Sequence, residues 1–157
     1  MENQKVVILD FGGQYKELIA RRVRECEVYS LIKPYNTSIN ELREISPIGI
    51  IFTGGPNSVY LKESPKCDPA IFEMGIPILG ICYGMQLIAH MLGGKISACE
   101  KSEYGRITAS VNTESALFSN IVETQNVLMS HTDKVIELPS GNFRGIANTK
   151  LCEIAAF

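Results

Sequence analysis

The sequence has 157 residues, 45% of them hydrophobic and 20% charged, with a formal net charge of −2. That length suffices for one domain with a sizeable core, and the small net charge gives no electrostatic case for binding nucleic acid or an anionic membrane. The five cysteines are scattered and form no Cys-x-x-Cys pair, which argues against a disulfide framework or a metal site and for a reducing, cytoplasmic setting. Val6 to Leu9 is too short an apolar run for a signal or membrane segment.

Val6 to Leu9 reads instead as a first buried strand, ended by Asp10-Phe11-Gly12-Gly13. The spacing then predicts a helix with Tyr15, Leu18, Ile19 and Val23 on one face and Arg21, Arg22 and Arg24 towards solvent. Glu27 to Lys33 is a second strand closed by Pro34, and Ser38 stands where it can cap a short helix carrying Ile39, Leu42 and Ile45. Pro47 precedes a third strand, Ile48 to Phe52, which runs into Thr53-Gly54-Gly55-Pro56-Asn57-Ser58. Asp68-Pro69 has the form of an N-cap with proline in the first turn, followed by Ile71, Phe72 and Met74.

The fourth strand, Ile78 to Ile81, is an apolar, β-branched run of the kind covered on both faces of a sheet. Met85, Leu87, Ile88, Met91 and Leu92 follow as a helical stripe that stops at Gly93-Gly94. This alternation predicts an α/β fold with a mainly parallel open sheet flanked by helices, its site beyond the carboxyl ends of the strands. The loops Asp10 to Gln14, Thr53 to Ser58 and Gly80 to Gly84 are expected to converge there. After Gly94 come shorter β-like stretches: Lys95 to Cys99, Arg106 to Val111, Asn126 to Ser130, Lys134 to Leu138, Phe143 to Asn148 and Glu153 to Phe157. They predict an antiparallel extension of the same sheet rather than a second domain, with a turn at Tyr104-Gly105.

Between the fourth strand and its helix, Gly80-Ile81-Cys82-Tyr83-Gly84 has the spacing of a nucleophile elbow with cysteine at its tip. A strand that reverses sharply into a helix leaves no room for side chains at the flanking positions, hence the glycines. The tip residue is held out in a strained conformation at a helix N-terminus, where free N–H groups and the macrodipole favour a thiolate. Cys26, Cys67, Cys99 and Cys152 read as inert, buried hydrophobes. An attack by Cys82 on an amide or ester carbonyl needs preorganised N–H donors. Tyr83 can supply one, and the Gly54-Gly55-Pro56 loop either supplies another or is a plain turn. A base is also needed: His90 falls on the flank of the elbow helix, leaving His131 as the default, with Asp133 to orient it. Gln86, one turn after Cys82, shares its helix face and could hydrogen-bond a substrate.

The stretch Gly80-Ile81-Cys82-Tyr83-Gly84-Met85-Gln86 resembles the nucleophile motif of class I (triad) glutamine amidotransferases, a family with a flavodoxin-like fold. Four more stretches resemble the glutaminase domains of GMP synthases within that family. They are Ile8 to Tyr15, Ala20 to Glu25, Thr53 to Tyr60, and Met129-Ser130-His131-Thr132-Asp133-Lys134-Val135. The resemblance implies that Cys82 attacks the side-chain carboxamide of glutamine, releasing ammonia and forming a thioester that water hydrolyses to glutamate. It further implies an oxyanion hole from the N–H groups of Gly55 and Tyr83, and a substrate contact from Gln86. Ammonia would pass to an ATP-pyrophosphatase module that uses ATP and magnesium to adenylate xanthosine monophosphate and aminates it to GMP. These residues contain no Ser-Gly-Gly-x-Asp loop of that module, so no cofactor or metal is expected in this domain, and a homodimer would form through the module.

Family members carry the base and its orienter in a His-Pro-Glu motif shortly after a strand like Glu153 to Phe157, and that motif is not among these residues. The expectation is a piece of a longer protein, poorly active alone, with His131 near the site or facing the synthetase rather than serving as base. Two other readings are a glutaminase component of another pathway, such as anthranilate or carbamoyl-phosphate synthesis, and a non-catalytic module that binds glutamine or a partner. The Asp10 to Tyr15 and Ser130 to Val135 stretches argue against the former, and the missing motif is the best support for the latter; the enzyme remains the leading reading.

Overall fold

The computed structural model describes residues 4–157, the side chain of Glu100 excepted, and these divide into two compact units, the first ending at Ile88 and the second spanning 89–157. In the first, four parallel strands form one sheet: β1 (Lys5–Asp10), β2 (Tyr29–Pro34), β3 (Gly49–Phe52) and β4 (Ile78–Gly80), in the order β2-β1-β3-β4. In register, Val7 lies between Leu31 and Ile50, and Val7, Ile8 and Leu9 are fully buried, as their apolar run requires. The chain leaves β1 for β2 on one side and reaches β3 on the other. The switch of direction opens a crevice at the carboxyl ends of β1 and β3.

The first helix, α1 (Lys16–Glu25), buries Ala20 and half-buries Ile19 and Val23, but Tyr15 is 61% and Leu18 48% exposed. The expected stripe is therefore rotated, because a helix covering a sheet edge has a narrower buried face than its apolar residues span. Its arginines form a solvated face as expected, Arg21 and Arg22 pairing with Glu25. The second helix, α2 (Ile39–Ile45), starts where Ser38 accepts from the Glu41 N–H at 3.2 Å. Asp68 likewise accepts from Ala70 N–H, but the turn that follows, Pro69–Glu73, is a 3-10 helix.

β4 departs from expectation. Among the described residues it is an edge strand of three residues that pairs only with β3, and Leu79 and Ile81 are each 38% exposed, not covered on both faces. The helix after it, α3 (Tyr83–Met91), buries Leu87 and Ala89 completely. It ends at Gly93, whose φ of +95° lets the Gly94 N–H return to the Ala89 carbonyl at 2.7 Å.

The second unit is a separate three-stranded antiparallel sheet, not an extension of the first: β5 (Lys95–Val111), β6 (Thr124–Glu137) and β7 (Ala147–Thr149), ordered β6-β5-β7. The expected stretches Lys95 to Cys99 and Arg106 to Val111 fuse into one long strand. Tyr104-Gly105 is no turn but a strand irregularity, with Gly105 at φ +88° beside a register shift between Ala98 and Glu103. Instead of a strand, residues 153–157 make two isolated bridges, Val135 to Ile154 and Ala147 to Ala156. No helix among the described residues is long and apolar enough to cross a membrane.

Candidate active site

Cys82, Gly55, Tyr83 and Gln86 all lie in the first unit, Gly55 and Cys82 on two of the three loops at the carboxyl ends of its strands and Tyr83 and Gln86 in the first turn of α3. Cys82 is exposed and has φ +54°, a conformation that costs an L-residue on the order of 1–2 kcal/mol. The strain is imposed by the glycines on either side. A Cβ on Gly80 would stand 2.6 Å from the Gly84 carbonyl carbon, and one on Gly84 would stand 2.5 Å from the Phe52 carbonyl oxygen. Strand end and helix start are thus packed backbone to backbone, and the thiol is carried at the tip of the reversal.

The other two loops close on this elbow. A Cβ on Gly13 would meet the Gly54 carbonyl oxygen at 2.5 Å, and one on Gly54 would lie 3.6 Å from the Cys82 Cβ. One on Gly55 would meet the Phe11 carbonyl oxygen at 2.6 Å and the Tyr83 ring at 3.3 Å. Gly54-Gly55 is therefore a site of close approach and not merely a turn. Tyr83 opens α3, so its N–H is one of the four an α-helix leaves without an intrahelical partner. Among the described residues, neither this N–H nor that of Gly55 donates to a protein acceptor. An N–H donor beside a thiol, such as that of Tyr83 next in the chain to Cys82, can stabilise a negative oxygen formed on the thiol's carbonyl target.

Gln86 hydrogen-bonds its N–H to the Cys82 carbonyl at 3.1 Å, in the same helical turn, and is only 5% exposed. It is a buried polar residue and not the exposed one that its type suggests.

Three supporting residues escaped the sequence reading. Thr53, fully buried, accepts from the Phe11 N–H at 2.9 Å and donates to the Gly54 carbonyl at 2.9 Å, so one hydroxyl joins two loops. Phe11 supplies the carbonyl under Gly55, and its ring packs at a tilt against Tyr83 at 5.7 Å and Phe52 at 5.2 Å. Pro65 accepts the Tyr83 hydroxyl at 2.6 Å. The only signal for Thr53 was its place before two glycines; nothing marked Pro65. In the first loop, Asp10 accepts from the Gly12 N–H at 2.8 Å and pairs with Lys16. Partial burial pushes its carboxyl upward, but Lys16 and the Gly12 N–H outweigh this and hold it below the usual range.

His131 lies in β6, in the second unit. Its Nε2 stands 3.1 Å from Glu103 Oε2 and its Nδ1 3.0 Å from the Asp133 carbonyl. Asp133 thus meets the ring through its backbone, and the buried carboxylate of Glu103 holds the side expected of an orienter. The other Glu103 oxygen accepts from Thr149 at 2.7 Å, so this network ties β5, β6 and β7 together. Of the other cysteines, Cys67 and Cys152 are buried, and desolvation raises both thiols, that of Cys67 to about 11. Burial also raises Cys99, which lies 3.8 Å from His131 Nδ1. Cys26 differs from expectation: it is exposed, because it sits past the end of α1 where the chain turns. No group of three or more His, Cys, Asp or Glu among the described residues could hold a metal ion.

Residues 7–157 match the family model described as glutamine amidotransferase class-I. The glutamine-hydrolysing GMP synthase of Clostridium botulinum (strain Alaska E43 / Type E3) is 54% identical over 156 residues, which are 99% of this chain and 30% of that protein. That of Caldicellulosiruptor saccharolyticus is 55% identical over 157 residues, 100% of this chain and 30% of its own. The chain thus spans about 30% of the length of the curated relatives it matches. A solved chain from Thermoplasma acidophilum, described as a candidate GMP synthase component, superposes with a TM-score of 0.86 at 26% identity, covering 98% of this chain and 77% of that one.

Proposed function

The chain belongs to the class-I glutamine amidotransferases, and we propose that it is the glutaminase part of a GMP synthase, supplying ammonia for the amination of xanthosine monophosphate. The observation that carries the reading is an exposed thiol on a positive-φ elbow, with the Gly54-Gly55 loop packed against that elbow and the Tyr83 N–H at the start of its helix. Identity of 54–55% to GMP synthases along the chain supports the choice within the family.

In this reaction Cys82 Sγ adds to the side-chain amide carbon of glutamine, and the C=O electrons move to oxygen, held by the N–H groups of Gly55 and Tyr83. Collapse of the adduct breaks the C–N bond, and the nitrogen leaves as ammonia with the proton first held by the thiol. Water then cleaves the thioester, giving glutamate and the free thiol. Gln86, one turn on from Cys82, helps hold glutamine. In the family that proton is carried by the histidine of a His-Pro-Glu motif, and this reading does not give the role to His131. ATP and magnesium are assigned to a partner ATP-pyrophosphatase module, for which the greater length of the relatives leaves room. The five free cysteines fit a reducing cytoplasm.

A glutamine-analogue diazo-ketone tests the site. Mass spectrometry is expected to find its label on Cys82. A general alkylating agent should mark the exposed Cys26 as well, so the preference of the analogue for Cys82 over Cys26 measures substrate recognition. Label on Cys26, Cys67, Cys99 or Cys152 instead of Cys82 would overturn the assignment.

A further inference from the structure

We infer that the phenol of Tyr83 is a positioning group for the oxyanion hole, locking the elbow that bears one donor to the loop that bears the other. The inference rests on the reading of Cys82 as nucleophile and goes beyond it, because it assigns work to a side chain whose backbone alone that mechanism uses.

The geometry is specific. The Tyr83 side chain is buried, 1% exposed, and its hydroxyl donates to the Pro65 carbonyl at 2.6 Å, 18 residues back in the chain. Pro65 adjoins Ser64, whose hydroxyl donates to the Ser58 carbonyl at 2.5 Å. Ser58 closes the 53–58 loop that carries Gly55. The path from one N–H donor to the other therefore runs Tyr83 N–H, ring, hydroxyl, Pro65, Ser64, Ser58, then back along the loop to Gly55. A shorter path closes the circuit, since the Tyr83 ring lies against the position a Gly55 Cβ would take and against Phe11, whose carbonyl abuts Gly55. Burial pushes the phenol up to about 12, so it keeps its proton and goes on donating throughout the neutral range.

A tether of this kind has a physical purpose. Each N–H must sit within a few tenths of an ångström of where the oxyanion forms, and the loops carrying them belong to different strands. A side chain from one donor residue that grips the other donor's loop removes that relative freedom. Leucine at this position would fill the space and leave the two loops uncoupled.

The test is Tyr83→Phe in the native protein, which keeps the ring and deletes the tether. Turnover with glutamine is expected to fall about ten-fold, with KM within about two-fold. The aldehyde analogue of glutamine is the second probe. Addition of the Cys82 thiol across its C=O gives a hemithioacetal whose oxygen occupies the hole. Its inhibition should weaken about ten-fold in parallel with turnover. A purely structural role would lower the melting temperature while sparing both values in the folded protein. Ser64→Ala, which loosens the same path one step away, should show the same pattern with smaller amplitude, and serves if Tyr83→Phe fails to fold. Turnover and aldehyde affinity within two-fold of the parent in the folded variants would overturn the inference. If the parent itself fails to hydrolyse glutamine or to bind the aldehyde through Cys82, the nucleophile reading is what has failed.

Discussion

Cys82→Ala is expected to abolish glutamine-dependent turnover, a loss on the order of 10^6-fold, because the attacking sulfur and the covalent route disappear together. Under the proposed function, amination driven by added ammonia should continue at the parent rate in the native protein, since the N–H donors and the fold are untouched. That split is the decisive readout. Loss of both activities in a folded protein would place Cys82 in a coupling role, and survival of the glutamine reaction would remove it from the chemistry. A companion variant shows what the conformation costs. Cys82→Gly should be equally inactive but more stable by about 1 kcal/mol, because glycine adopts φ +54° without strain. Greater stability with no activity is the expected mark of a residue held in place for function.

Gly84→Ala is expected to destabilise the protein by about 3 kcal/mol or more and to abolish activity in whatever folds. The added methyl would stand 2.5 Å from the Phe52 carbonyl oxygen and 2.6 Å from the Phe52 Cβ. Phe52 is fully buried in β3 between β1 and β4, so neither the carbonyl nor the side chain can yield. Two controls separate packing from backbone conformation. Gly75 has φ +69° and open space around it, so alanine there should cost about 1 kcal/mol through strain alone. Gly145 has open space and no such φ, so alanine should fall within about 0.5 kcal/mol of the parent. Denaturant midpoints for the three variants give the order directly. Equal costs at Gly84 and Gly75 would mean that the elbow is not packed as described.

Much of the first unit was legible because its signals are local. The apolar run of β1 is buried, Ser38 caps α2, Asp68 caps the turn after it, and Gly93 ends α3. Each depends on one or two residues acting on their own neighbourhood. The elbow was legible for the same reason, its glycines declaring in sequence a contact that the fold then makes. The errors share another origin. Leu18 and Tyr15 are apolar and exposed, and Leu79 and Ile81 stand at a sheet edge, because hydrophobicity says that a residue prefers burial and not which neighbours exist to bury it.

The sequence by itself determined most elements of the first unit, the turn that holds Cys82 between its flanking glycines, and the family to which they belong. Spacing and residue type are enough for these, since a turn or a cap is chosen over a few residues. The tertiary structure alone decided that the later strands form their own sheet, that Gly55 approaches Tyr83, and that Thr53 and Pro65 hold the loops around the thiol. These depend on contacts between residues far apart in the chain. Pairing along a strand edge is open to any partner of suitable register, so nothing local can name the one that is used.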